Sequence, residues 1–327
     1  MKRSAVERLR QFLACFQAKD QVLILINADP DAISSAMAVR RLLWRKTAGI
    51  VIASVNTVKR PDNLAMIRLL RVNLRHARDI DRADFDRVVL VDSQPDHGDA
   101  FAPFARIDAV IDHHPRGNLP NLAFCDIRPE YGATATMMTE YLRAARIKPA
   151  SRLATALFLG IKTDTGNFER QAILDDMRAF QFLFRYANTD LARKIEESDL
   201  TPDFLPLFRI GIERMQLRRR RAFAHLGRVE NPDVCVLLAE FFMRVNPVSW
   251  SFVSGLYEDR LVLIVRNDGI RKNAGALVKE RFDAYGSGGG HKSVARAELT
   301  AAALASELDV TNDAAVLQWI ITRVEQP

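Results

Sequence analysis

Asp112-His113-His114 sets one acid beside two imidazoles, after the largely apolar run Ile107–Ile111 and before Pro115 and Gly117. That pattern predicts a buried strand with a polar tip and then a turn. An acid next to two imidazoles at a strand end is, in outline, a metal site or an acid/base site. Asp29 and Asp31 flank Pro30 on a tight turn, and carboxylates that close repel unless a cation or a proton lies between them. Asp92 adds a third carboxylate and Asp164 a fourth. Hard oxygen ligands with one or two His suit Mn²⁺ or Mg²⁺ better than a structural zinc. Two cations bridged by a shared carboxylate lie about 3.5–4 Å apart, activate water and neutralise a phosphoryl group, which is the chemistry of phosphoester hydrolysis. Singly, each acid also reads as a helix N-cap or a turn residue.

The elements that must position these groups alternate. Ser4–Ala18 has helical periodicity, with Val6, Leu9, Phe12, Leu13 and Phe16 on one side. Gln21–Ile26 is continuously apolar and predicts a strand buried on both faces. The turn Asn27–Asp31 and a helix over Ala32–Trp44 complete the first unit of a parallel sheet. Strands are expected over Ile50–Val55, Arg87–Val91 and Ala109–Ile111. Helices are expected over Asp62–Leu74, Gly132–Arg146, Ser151–Gly160 and Leu174–Tyr186, with Gly160–Gly166 leading into a polar loop. In open parallel sheets ligands bind at the strand C-terminal edge, so Asp29, Asp31, Asp92, Asp112, His113 and His114 can share one crevice.

From Asn188 to Pro202 the chain turns polar, and a long helix over Asp203–Phe223 is expected to carry Arg218-Arg219-Arg220-Arg221. The organisation read from this is 1–195, a helical linker 196–224, and 225–327. The fold class is α/β: a parallel-sheet, Rossmann-like N-terminal domain with a smaller α+β C-terminal domain. In that smaller part, strands are expected over Val234–Ala239, Leu261–Arg266 and Val294–Leu299, and helices over Val248–Tyr257, Asn273–Phe282 and Asp313–Val324. Gly288-Gly289-Gly290-His291 reads either as a flexible turn or as a backbone cradle for phosphate. Arg266 is an anion clamp or a surface charge. The arginine run is a solvated face or a track for a nucleic-acid backbone.

With 327 residues, the chain is long enough for two cores. Its 48% hydrophobic and 27% charged residues are ordinary for a globular protein. No apolar run approaches the ~18 residues of a membrane span, and a cytoplasmic protein with no membrane partner is expected. A net charge of +7 favours a polyanionic partner, a nucleotide or nucleic acid. Cys15, Cys125 and Cys235 are far apart and fit neither zinc spacing nor a disulfide framework, so buried free thiols are expected.

Asp29-Pro-Asp31-Ala-Ile-Ser-Ser35, Val-Asp92-Ser, Asp112-His113-His114 and Gly160-Ile-Lys-Thr-Asp164-Thr-Gly166 resemble, in order, the four motifs of the DHH phosphoesterase superfamily. Gly288-Gly-Gly-His291 with Arg266 upstream resembles the DHH-associated C-terminal domain. The pairing is similar to that of nanoRNases that also dephosphorylate pAp, and the chain length suits that group. The resemblance implies that Asp31, Asp92, His113 and Asp164 hold one Mn²⁺, and that Asp29 and Asp92 contribute to a second, with Asp92 bridging. His114 and Asp92 are then the catalytic pair. His114 also contacts the scissile phosphate, Asp112 orients the two His, and Arg266, Gly289, Gly290 and His291 grip the substrate's far end. The implied substrate is a short oligonucleotide (exonuclease or oligoribonuclease action) or pAp. The alternatives are a cyclic dinucleotide, or binding without catalysis. A homodimer is an expectation from similar proteins. The chain departs from the family at Leu25, where a His ligand usually stands, and His97 is the replacement considered. It departs also at Ser34 for Gly, and at Lys292-Ser-Val-Ala-Arg296 for Ala-Ala-Gly.

Overall fold

The structure is a computed structural model describing residues 4–98, 100–104, 106–198 and 202–325. The chain packs as two compact units, Met1–Asp199 and Leu200–Pro327. No helix among the described residues is long and apolar enough to cross a membrane.

The first unit runs α1 (Ala5–Leu13), β1 (Gln21–Ile26), α2 (Pro30–Leu43), β2 (Gly49–Ser54), α3 (Pro61–Leu69), β3 (Leu74–His76), β4 (Arg87–Val91), β5 (Ala109–Asp112), β6 (Phe124–Ile127), α4 (Thr134–Ala144), α5 (Ser151–Asp164), α6 (Leu174–Phe184) and α7 (Thr189–Glu196). Its six strands form one parallel sheet in the order β3-β2-β1-β4-β5-β6. The continuous apolar run of β1 is explained by burial on both sides. Val22, Ile24 and Ile26 pack with the helices, and Leu23 and Leu25 pack on the other face with Phe101, Phe104 and Ile107. Leu25 lies between Ala53 and Leu90 in the ladder and is fully buried as hydrocarbon core.

Because β1 is followed by β2 on one side while β4 begins the other half, strand order reverses between β1 and β4. Doubly wound sheets open a ligand crevice at such a point. The chain leaves β1 through Asp29, which caps α2 with its side chain accepting from Ala32 N, and Pro30 fills the first helical turn, where no donor is lost. Helix α2 is buried almost all round, and α5 closes on it at Gly160. There an added Cβ would lie 2.5 Å from Ser34 Oγ and 3.2 Å from Asp31 Cα. A buried polar group ties down α4. Arg128 pairs with Asp126 and Glu140, while Tyr141 donates to Asp126 and Tyr131 to Glu140.

The fourth motif departs from expectation. Gly160–Asp164 is not a loop but the last turn of α5, and the loop begins at Thr165. Gly166, Asn167 and Phe168 then all have positive φ, one left-handed stretch that ends the helix.

The second unit contains α8 (Leu205–Glu213), β7 (Gln216–Arg218), β8 (Arg221–Arg228), α9 (Asp233–Phe242), β9 (Trp250–Tyr257), β10 (Arg260–Asn267), α10 (Ala274–Phe282), β11 (Gly286–Gly290), β12 (Val294–Thr300), α11 (Ala301–Leu304) and α12 (Asp313–Glu325). The strands make a mixed sheet in the order β11-β12-β10-β9-β8-β7. Three expectations are corrected here. The predicted helix over 203–223 stops at Glu213, and the arginine run is instead a β-hairpin, with Arg218 opposite Arg221 and Arg219 left-handed at φ 55°. Arginine and leucine favour helices in isolation, but pairing of β8 with β9 overrides that preference. Val234–Ala239 is helical, within α9, because a short apolar run does not distinguish a buried strand from a buried helix. Val248–Tyr257 is a strand from Trp250 onward. The glycines of 286–290 are likewise not a free turn but a strand paired with β12. Cys235 is buried, and Cys15 and Cys125 are half-buried.

Candidate metal centre

Asp31, Asp92, His113 and Asp164 meet at the C-terminal edge of the parallel sheet, beside the reversal between β1 and β4. His113 Nε2 lies 2.9 Å from Asp164 Oδ2, 3.6 Å from Asp92 Oδ1 and 4.0 Å from Asp31 Oδ2. Asp31, His113 and Asp164 each offer a ligand atom within 4.8 Å of the others, as do Asp92, His113 and His114. Asp29 is absent from both groups. It is the exposed cap of α2, close enough to act electrostatically on Asp31 and Asp92.

Each carboxylate is held. Asp31 accepts from Thr134 N and Ala135 N at 2.7 Å each, the first free amides of α4. A helix N-terminus is where a carboxylate is most welcome. Asp92 accepts from Thr134 Oγ1 at 2.7 Å and sits at φ 59°. That left-handed backbone is unusual outside glycine, though Asp and Asn tolerate it best. Asp164 ends α5, where the helix dipole repels an anion and attracts a cation. Thr134 and Ala135 were not singled out in the sequence. The only signal was the small-residue stretch Gly132-Ala133 ahead of a helix.

The imidazoles have defined roles. His113 Nδ1 faces Tyr131 O at 3.1 Å, and a carbonyl only accepts, so Nδ1 carries a proton and Nε2 is the lone-pair nitrogen of the neutral ring, the form a bound cation selects. That Nε2 is buried and makes no hydrogen bond of good geometry. A lone pair aimed at three carboxylates fits a divalent cation, which satisfies all four groups at once. Asp112 has no such spare capacity. Its Oδ1 accepts from His113 N, His114 N and His114 Nδ1, and its Oδ2 from Gln94 Nε2 at 2.6 Å. Burial works against its charge, but the His114 and Gln94 hydrogen bonds outweigh this and hold it below the usual carboxylate range. Gln94, fully buried, also takes Gly117 N on its Oε1, and nothing in the sequence distinguished it.

Burial, then the Asp164 charge, pushes Asp31 up to about 7. Burial and then Asp31 push Asp92 well above the usual range. Burial pulls His113 down, but Asp164 and Asp31 outweigh it and raise it to about 9. In metal-free protein all three shifts have one sign. Between an ordinary 3.8 and about 7 the folded state keeps an Asp31 proton that the unfolded chain has released. Between 6.5 and about 9 it does the same at His113. Stability without cation therefore falls as pH rises through that window. Mn²⁺ is expected to raise the Tm of chelator-treated protein more near pH 8 than near pH 5.5, by about 3 °C or more, the equivalent of ~1 kcal/mol. Equal shifts in differential scanning calorimetry would mean that the cation does not meet these groups.

Arg266, Gly289, Gly290 and His291 lie in the second unit. Arg266 on β10 is opposite Val294, whose carbonyl takes His291 N at 2.7 Å, so both stand at one end of the mixed sheet. Arg266 is ion-paired with Glu240. Gly290 and Gly275 are required by packing, since a Cβ on Gly275 would lie 2.4 Å from Gly290 O. A Cβ on Gly289 would meet nothing within 4 Å.

Residues 21–161 match the family model described as DHH family, N-terminal domain. An uncharacterized protein of Methanocaldococcus jannaschii is 32% identical over 286 residues, which is 86% of this chain and 59% of that protein. The chain therefore spans less than two thirds of that relative's length. In fold it is similar to an exopolyphosphatase-related protein from Bacteroides fragilis, with TM-score 0.73 and 15% identity over 97% of this chain and 95% of that one. It is also similar to RecJ in complex with Mn²⁺ from Thermus thermophilus, with TM-score 0.53 and 13% identity over 98% and 53% of the two chains. At these identities the likeness is one of fold.

Proposed function

Since residues 21–161 belong to the DHH family as its N-terminal domain, we propose that the chain is a Mn²⁺-dependent phosphoesterase acting on short oligonucleotides or pAp. The observation that carries this reading is His113 Nε2 facing Asp31, Asp92 and Asp164 at the sheet's switch point. Asp31, Asp92, His113 and Asp164 would hold one cation, and Asp29 with Asp92 would contribute to a second. When bound, divalent cations activate water and neutralise phosphoryl charge. Mn²⁺ is favoured over Mg²⁺ because an imidazole joins the carboxylates.

The chain's own groups do the rest. His114 gives its Nδ1–H to Asp112, and this hydrogen bond raises its pKa and favours the doubly protonated ring, whose Nε2–H is then free to donate to a phosphoryl oxygen. Asp112 fixes both His, and Gln94 fixes Asp112. In the second unit, the glycine at 289, which no packing demands, supports close approach of a substrate to the β11 backbone, with Arg266 and His291 at the same end of the sheet. The domain roles proposed are 1–195 catalytic, 196–224 connecting and 225–327 substrate-binding.

Leu25 supports a second reading. A fully buried leucine cannot ligate, so one cation is held weakly and the chain acts on a cyclic dinucleotide or binds nucleotides without turnover. Mn²⁺ and Mg²⁺ titrated into chelator-treated protein, with a short RNA, pAp, a linear dinucleotide and a cyclic dinucleotide as substrates, separates these. Saturable Mn²⁺-dependent cleavage of the RNA or pAp is the expected result. Nucleotide binding with no turnover of any of the four would establish the binder, which need hold no divalent pair, and binding of neither cation nor nucleotide would reject both readings.

A further inference from the structure

The loop after β4 is stitched to the loop after β5. Gln94 Nε2 donates to Asp112 and to Pro115 O, Gln94 Oε1 takes Gly117 N, and Asp96 Oδ2 takes Asn118 N at 2.8 Å. These bonds fix His97 although its side chain is exposed. Its ring stands edge-on to that of His114, with centroids 5.4 Å apart and planes at 83°. His97, Asp112 and His114 each offer a polar atom within 4.8 Å of the others.

The sequence offered His97 as the ligand replacing the one that Leu25 cannot supply. The hydrogen bonds contradict that role. Gln94 N points at His97 Nδ1 from 3.2 Å. A backbone N–H only donates, so Nδ1 accepts and the neutral ring carries its proton on Nε2. An N–H is a poor cation ligand and a good anion donor. Asp112, the one carboxylate in this group, has both oxygens engaged.

Resting on the phosphoesterase reading above, we propose that His97 is a substrate-binding residue whose Nε2–H donates to a phosphoryl oxygen beside His114. No protonation of His97 is required, because the donor exists in the neutral ring. The group recognised is a phosphate or phosphoester oxygen one step removed from the cation ligands.

Two substitutions separate the roles of the ring nitrogens. His97→Asn retains an acceptor near Nδ1 for Gln94 N and removes the distal donor. His97→Gln places an amide N–H near Nε2. Inorganic phosphate is titrated calorimetrically into wild type and both variants loaded with Mn²⁺, and Mn²⁺ is titrated separately into the metal-free proteins. In His97→Asn, phosphate affinity is expected to fall about 10-fold or more, the worth of one hydrogen bond to a charged group, with Mn²⁺ affinity and Tm unchanged. In His97→Gln most of the phosphate affinity returns. With a cleavable substrate, KM rises and kcat holds, as when an interaction common to ground and transition states is lost.

Unchanged phosphate affinity in His97→Asn overturns the proposal. So does a parallel loss of Mn²⁺ affinity, which would make His97 a ligand after all, and so does a wild type that binds no phosphate. A wild type that binds phosphate through His97 but cleaves no phosphoester leaves this inference standing and rejects the phosphoesterase reading instead.

Discussion

Asp92→Asn is expected to cut Mn²⁺-dependent phosphoester turnover by at least about 100-fold, more than even the outer partners of metal sites are worth, and at the same time to stabilise the metal-free protein. The two effects have one origin. Burial and then Asp31 raise Asp92 well above the usual carboxylate range, so its charge is disfavoured until a cation is bound, and its backbone is left-handed. Asparagine tolerates that conformation, and its amide oxygen can still accept from Thr134 Oγ1, as Asp92 does now. What disappears is the charge. Without cation, at alkaline pH where Asp92 is driven to ionise beside Asp31, the change removes a repulsion, and a Tm gain of about 2–4 °C is expected for ~1 kcal/mol. With cation, it removes a ligand. Turnover assayed at saturating Mn²⁺, set beside calorimetry after chelation, checks both. Full turnover, or a lower metal-free Tm, would remove Asp92 from the centre.

Asp31→Asn is also isosteric and should do the reverse to stability. Both Asp31 oxygens receive main-chain amides, from Thr134 and from Ala135. An asparagine has one oxygen, so its NH₂ must confront one of these N–H groups in a buried site. A buried donor left unpaired costs about 1–3 kcal/mol. Near pH 6, Asp31 lies below its raised value of about 7 and is mostly protonated, so little relief of charge offsets the loss. Urea unfolding of chelated protein at that pH is expected to show Asp31→Asn destabilised and Asp92→Asn not. If both variants moved the same way, the α4 N-terminus would not be what holds Asp31.

What the sequence revealed and what it hid follow from where each signal resides. Gln21–Ile26 and Arg87–Val91 coincide with β1 and β4 because strands buried on both faces are unbroken apolar runs. Asp31, Asp92 and His113 stand just past strand ends, and the alternation of elements alone brings those ends to one edge. Asp164 also arrives there, but from the last turn of α5, since a helix continuing through Thr163 and Asp164 resembles a polar loop when only composition is visible. Thr134, Ala135 and Gln94 were hidden for a different reason. Their contribution is a backbone amide or a buried amide side chain whose partner lies as many as 104 positions away. The second unit was misread where neighbours decide the conformation. Arg218–Arg221 turn a hairpin between β7 and β8, and Trp250–Tyr257 is a strand, because β8 and β9 complete each other's ladder.

Helix α4 begins at the two carboxylates and is moored at its other end. Thr134 touches both Asp31 and Asp92, while Glu140 and Tyr141 engage Arg128 and Asp126. At 1.5 Å per residue, about 9 Å of rigid helix separates Thr134 from Glu140. The helix is thus a strut, and the gap between the acids is gauged from its remote mooring. Trimming Tyr141 or Glu140, neither of which meets the acids, would slacken that strut and detune the grip on a cation from a distance.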